Sequence, residues 1–178
     1  MYGMNISNYF LKGEAMKKIY YGGVMKHIGI GLLIIFFVAT LAFAGEEKPV
    51  KPSPKDKCQV CGMFVAKYPK WVSEIIFKDG SYAFFDGPKD MFTYYHNLGT
   101  YNPSKKTADI LAVYVTEYYS TKFMPAAKMF FIRGSDVNGP MGDELIPVGN
   151  EKNAKEFMKD HNGKKILRFD EITKEELK

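Results

Sequence analysis

Residues Ile28 to Phe43 form a nearly unbroken apolar run without a charged side chain, and such a run must leave water. Lys17, Lys18 and Lys26 precede it and Ala42-Phe43-Ala44 follows it, the order of positive flank, apolar segment and small-residue cleavage site found in a secretory signal. Cleavage is expected after Ala44. The competing expectation is an uncleaved anchor, because the run approaches the ~17 to 25 residues of a spanning helix. In either case the positive flank stays in the cytoplasm and everything after Gly45 lies beyond the membrane. Met16-Lys17-Lys18 would begin a signal of ordinary length, with Met1 to Ala15 as a polar extension.

Taking away residues 1 to 44 removes four lysines and one glutamate, so 21 basic and 19 acidic residues remain. That balance, with lysines scattered among acids, gives no basic stripe for nucleic acid. Residues 45 to 57 read as a tether, because Pro49, Pro52 and Pro54 stand among charges with little to bury. The folded domain is expected over 58 to 172, followed by a short tail over 173 to 178, and about 120 residues suit a single core.

Two copies of a strand, strand, helix, strand unit are expected within that domain. In the first, Val72 to Phe77 and Tyr82 to Phe85 flank Lys78-Asp79-Gly80-Ser81, where Asp-Gly between apolar runs signals a hairpin. Asp86-Gly87-Pro88 offers a helix cap with proline in the first turn, and Met91, Phe92, Tyr95 and Leu98 recur at helical spacing. Ile110 to Tyr118 has strand composition. In the second copy, Met129 to Ile132, Glu144 to Val148 and Lys165 to Phe169 are the strands, and Asn150 to His161 is the helix. The expected class is α+β, one compact domain with a mostly antiparallel sheet.

Cys58-Gln59-Val60-Cys61 contains both cysteines of the chain. A four-thiolate zinc site is therefore excluded, and His96 and His161 lie at none of the compact zinc-finger spacings. A stapling disulfide is one reading of the pair, since an exported compartment permits it, although so short a loop gives little entropic stabilisation. A thiol-disulfide exchanger is another, but its pair normally opens a helix after a strand, and this one follows a proline-rich tether. Met63 follows the second cysteine almost at once, and thiolate with thioether is the donor set that favours copper(I). Met91 and Met158 fall on apolar helix faces and read as core. Met141, in Gly139-Pro140-Met141-Gly142, sits in a turn with no core to fill, which invites a ligand reading in which this loop reaches Cys61. No Ser-His-Asp order or paired acids in a polar loop suggest an enzyme.

Cys58-Gln59-Val60-Cys61-Gly62-Met63, Tyr68-Pro69-Lys70-Trp71, Asp79-Gly80, Phe85-Asp86, Arg133-Gly134-Ser135, Gly139-Pro140-Met141-Gly142 and Leu167-Arg168-Phe169-Asp170-Glu171, in this order, resemble the nitrous oxide reductase accessory protein NosL family. The resemblance spans residues 58 to 172. It implies a fold of two related units and a periplasmic or membrane-anchored copper(I) chaperone, taking copper from a donor and delivering it to a copper enzyme, nitrous oxide reductase. The implied ligands are Cys61 and Met141, with Met63 as a third and Cys58 as an accessory; either histidine is a weaker candidate. The chain departs from many relatives in having no cysteine near the cleavage point for a lipid anchor.

Overall fold

The computed structural model describes residues 48–178. The signal or anchor expected over 1 to 44 lies outside the described residues, and among these no helix is long and apolar enough to cross a membrane. After a 3-10 turn at Val65–Lys67, strands β1 (Ser73–Phe77) and β2 (Tyr82–Phe85) form the hairpin that Asp79-Gly80 predicts, with Gly80 at φ 81°. Helix α1 (Pro88–His96) and the short α2 (Leu98–Tyr101) lead to β3 (Ile110–Thr116) and β4 (Phe123–Pro125). A 3-10 turn (Ala126–Lys128) then passes the chain to β5 (Phe130–Arg133). The remaining elements are β6 (Asn138–Gly139), β7 (Gly142–Asp143), β8 (Ile146–Val148), α3 (Glu151–Asp160) and β9 (Lys165–Leu167), with 3-10 turns at Phe169–Glu171 and Glu175–Leu177.

The first sheet runs β2-β1-β3-β4 and the second β8-β5-β9, and every pairing is antiparallel. In each, the first strand of the unit is central, the second pairs on one side and the strand after the helix on the other. The expected α+β architecture of two related units is therefore present. β4 and the small β6-β7 hairpin were not anticipated. Both are two or three residues long, too short for a two-residue alternation to register, and Pro125 and Pro140 break the pattern further.

Strand β5 stands between two hydrophobic clusters. Strand β5 alternates, so Phe131 packs with Ile75, Phe77, Phe85, Met91 and Phe92 of the first unit, while Ile132 packs with Ile146, Ala154 and Phe157 of the second. Met91 and Phe92 are fully buried, as their helical spacing requires. Arg168 closes the second unit, donating to the Met129 carbonyl at 2.7 Å and the Ala127 carbonyl at 3.0 Å while its guanidinium stacks 4.3 Å above Phe130. The segment before the cysteines is held to the domain at Val50, whose N–H donates to both oxygens of buried Glu74 at 3.0 and 3.2 Å.

Candidate metal centre

The stretch from Lys57 to Phe64 folds back on itself. Lys57 and Phe64 form an antiparallel bridge, the Cys58 N–H donates to the Met63 carbonyl at 2.8 Å, and the Gly62 N–H donates to the Cys58 carbonyl at 3.0 Å. Gly62 makes the reversal at φ 78°, a conformation that other residues rarely adopt. Closing the loop in this way brings both cysteines to the same side. The Gln59 N–H then donates to the Phe84 carbonyl at 3.2 Å, which fastens the loop to β2 where the chain passes into α1.

That passage supplies two carboxylates. Asp86 leaves β2, and Asp90 sits in the first turn of α1, four residues on. The Cys61 thiol donates to Asp86 Oδ1 at 3.3 Å and the Cys58 thiol to Asp90 Oδ2 at 3.2 Å. One ligand atom from each of Cys58, Cys61, Asp86 and Asp90 lies within 4.8 Å of every other. Asp86 is not the helix cap that Asp-Gly-Pro suggests: Gly87 is the N-cap residue and no side chain within the turn caps it. Pro88 does occupy the first turn as expected.

Burial dominates the electrostatics. Cys58 is 3% exposed, and desolvation pushes its thiol far above the ordinary cysteine range; the half-buried Cys61 is pushed up to about 11 for the same reason. Desolvation also raises Asp90. Both cysteines are free thiols. Asp86 is 1% exposed, and its Oδ2 has no hydrogen-bond partner. A buried acceptor in that state costs about 1–3 kcal/mol, so the cluster holds an oxygen with an unmet demand for a donor or a cation.

A second device fixes the hairpin that carries Met141 to the start of α1. Pro140 and Met141 are the two turn residues of the β6-β7 hairpin, and Met141 is 61% exposed. The base of the hairpin is fixed to the start of α1 by Glu144, whose Oε1 accepts from the Lys89 N–H at 2.6 Å and the Leu145 N–H at 2.9 Å. Lys89 Nζ completes the clasp with Asp143 Oδ2 at 3.5 Å. A carboxyl from the second unit thus fills the N-terminal end of the first unit's helix, the place that Asp86 leaves open. Two glycines make room for it. A Cβ at Gly87 would lie 2.0 Å from Glu144 Oε2, and one at Gly139 would lie 3.0 Å from Glu144 Cγ. Desolvation raises the Glu144 carboxyl to about 8.

The structure therefore brings Cys58 and Cys61 together, gives the Met63 carbonyl the task of closing their loop, and anchors the Met141 hairpin on the helix that bears Asp90. The histidines are engaged elsewhere. His96 Nε2 donates to the Ile172 carbonyl at 2.7 Å, and His161 Nδ1 lies 3.1 Å from Asp136 Oδ1. Asp86, Asp90 and Glu144 were missed from sequence, because each had an ordinary role available as a cap, a first-turn acid and a strand residue.

Comparison with known proteins converges on one family. The family model described as NosL matches residues 49–177. A curated relative, the copper-binding lipoprotein NosL of Stutzerimonas stutzeri, is 25% identical over 169 residues, covering 83% of this chain and 82% of the relative. Among solved structures, the crystal structure of the copper chaperone NosL from Shewanella denitrificans shares this fold, with a TM-score of 0.61 and 24% identity over 72% of this chain and 97% of that one. The solution structure of apo-NosL from Achromobacter cycloclastes matches at a TM-score of 0.43 and 22% identity, covering 59% of this chain and 87% of that one.

Proposed function

The chain belongs to the NosL family, and from that premise we propose that it is an exported copper(I) chaperone, carrying the ion as cargo for the maturation of a copper enzyme and catalysing no reaction itself. The observation that carries the reading is a buried and a half-buried thiol set against Asp90 and Asp86, with a methionine-bearing hairpin of the other unit clasped to the helix that bears Asp90. Cys61 and Met141 are the first ligands, Cys58 joins them, and Met63, two residues beyond Cys61 in sequence, is a further one. Thiolate and thioether are soft donors and favour a soft monovalent ion over hard or borderline ones.

The same geometry suits transfer. Cys61 is half buried and Met141 is exposed, so an acceptor's ligand can approach the ion from the hairpin side while Cys58 holds it from within. A shell of two or three sulfurs leaves a coordination position open for that exchange. The oxidoreductase reading makes a different prediction, since it needs both cysteines and is indifferent to Met141.

The recipient is taken to be nitrous oxide reductase on the strength of the family resemblance, with a separate protein as copper donor. Placement outside the cytoplasmic membrane agrees with the leader-like order of residues 17 to 44 and with the naming of the Stutzerimonas relative as a lipoprotein. The test is a copper(I) competition titration of the thiol-reduced protein against a cuprous chelator. One equivalent held tighter than micromolar, with affinity lost in Cys61→Ala and reduced in Met141→Leu, supports the reading. Failure to retain copper(I) against the chelator removes it.

A further inference from the structure

Arg133-Gly134-Ser135 is a motif that copper binding leaves without a task. Where these residues follow β5 the surface opens into a cavity of about 420 Å³, and its wall is completed by Lys164 and Lys165 at the start of β9, by Lys178, and by Asp143 of the β6-β7 hairpin. The copper ligands proposed above take no part in it, so what this cavity binds is independent of the copper reading.

The cations in this wall are unequally satisfied. Glu176 serves two of them, 2.8 Å from Arg133 Nη1 and 2.7 Å from Lys165 Nζ, and Arg133 also donates to a main-chain oxygen of Lys178 at 3.4 Å. Lys178 Nζ stands 3.8 Å from Glu175, and Asp143 is paired with Lys89 at 3.5 Å. Lys164 has no carboxylate partner among the described residues. Its stem lies along Gly134, where a Cβ would come within 2.9 Å of Lys164 Cδ and where φ is 70°, a combination that favours glycine. Beside it the Ser135 hydroxyl is buried with no hydrogen-bond partner. A hydroxyl in that state is costly, and with no bond holding χ1 it can turn to donate to a ligand.

An ammonium without a counter-ion and a hydroxyl without an acceptor lack the same thing. We propose that this cavity binds a small organic oxyanion, a phosphate monoester or a polycarboxylate, whose charged group is held by Lys164 and Ser135 within the positive field of Arg133 and Lys165. The volume fits an organic ligand, since it falls in the range of about 300–1,000 Å³ common to small-molecule sites and exceeds what one inorganic phosphate fills. Asp143 repels an anion placed against it, which directs the ligand's charged group toward Lys164 and leaves the Asp143 side for uncharged atoms.

Amide shifts of the isotope-labelled, metal-free, thiol-reduced full-length protein test the site, with inorganic phosphate, glycerol 3-phosphate, citrate and neutral glycerol as probes at fixed ionic strength. Glycerol 3-phosphate or citrate is expected to give saturable shifts centred on Arg133, Gly134, Ser135 and Lys164, with higher affinity than inorganic phosphate, and glycerol is expected to give none. The tighter of the two organic anions assigns the ligand to the phosphates or the carboxylates. Lys164→Gln should weaken binding by about tenfold and Ser135→Ala by about threefold. Ser135→Ala removes a group that bonds to nothing in the fold, so its melting temperature should be unchanged. Lys152→Gln, at an exposed lysine on α3 outside the cavity, should bind as the native protein does. Shifts that rise linearly without saturation, or binding that survives both Lys164→Gln and Ser135→Ala, would overturn the site and leave copper(I) binding untouched.

Discussion

Substituting Gly87 by alanine tests the clasp that links the two units. The added methyl would lie 2.0 Å from Glu144 Oε2 and 2.8 Å from its Cδ, distances at which the Glu144 carboxyl must leave its place. Its departure strips the Lys89 and Leu145 N–H groups of an acceptor they now hold at 2.6 and 2.9 Å. Each buried donor left unsatisfied costs about 1–3 kcal/mol, so a total near 2–4 kcal/mol is expected. At this domain size that corresponds to a fall in melting temperature on the order of 10 °C. The backbone offers no competing explanation, since Gly87 has φ −167°, extended geometry that alanine adopts freely. Thermal unfolding by circular dichroism on Gly87→Ala, Glu144→Ala and the double variant separates the terms. With the Glu144 side chain gone there is nothing for the methyl to strike, so the double variant should melt close to Glu144→Ala alone, with an interaction energy of about 2 kcal/mol. Simple additivity of the two losses would refute the clasp.

The remaining expectations are briefer. Glu144 has a folded pKa near 8, above its ordinary value of 4.5, so its contribution to stability is complete below about pH 4.5 and is lost as the pH rises toward 8. Denaturant midpoints measured across that window should decline, and Glu144→Gln should flatten the decline; an equally steep profile in the variant would count against it. Gly62→Val should destabilise the cysteine loop by about 1–3 kcal/mol, because a branched side chain is strained at φ 78°, and should weaken copper(I) binding more than a surface substitution does. A valine variant with unchanged affinity and midpoint would show that the loop does not need its left-handed turn. Arg168→Lys should lower the unfolding midpoint by about 1–3 kcal/mol, since an ammonium cannot reproduce the planar fork that serves the Ala127 and Met129 carbonyls while stacking on Phe130. An unchanged midpoint would assign that anchor no energetic role.

Much of the architecture can be read from local pattern. Asp79-Gly80 between alternating apolar runs specifies the β1-β2 hairpin, and Pro88 followed by Met91 and Phe92 specifies a helix that buries that face. The recurrence of that order later in the chain gives the second sheet the same strand arrangement as the first. The cluster is legible only where chemistry is rare: two cysteines in a chain of 178 residues stand out. Carboxylates are common, and nothing in Asp86-Gly87-Pro88 distinguishes a cap from a group turned toward Cys61. That distinction depends on the Gln59-to-Phe84 hydrogen bond, which joins segments 25 residues apart, and on Glu144 arriving from 55 residues away to fill the helix end. Long-range burial of this kind has no periodicity to announce it.

The central claim is that sulfur from both units grips one soft ion. X-ray absorption of the copper(I)-loaded, thiol-reduced protein measures it directly, because the coordination shell reports donor type and number. Three sulfur neighbours in the native protein, falling to two in Met141→Leu with Cys58 and Cys61 retained, is the predicted result. A shell dominated by oxygen or nitrogen, or a sulfur count unaltered by loss of Met141, would contradict it.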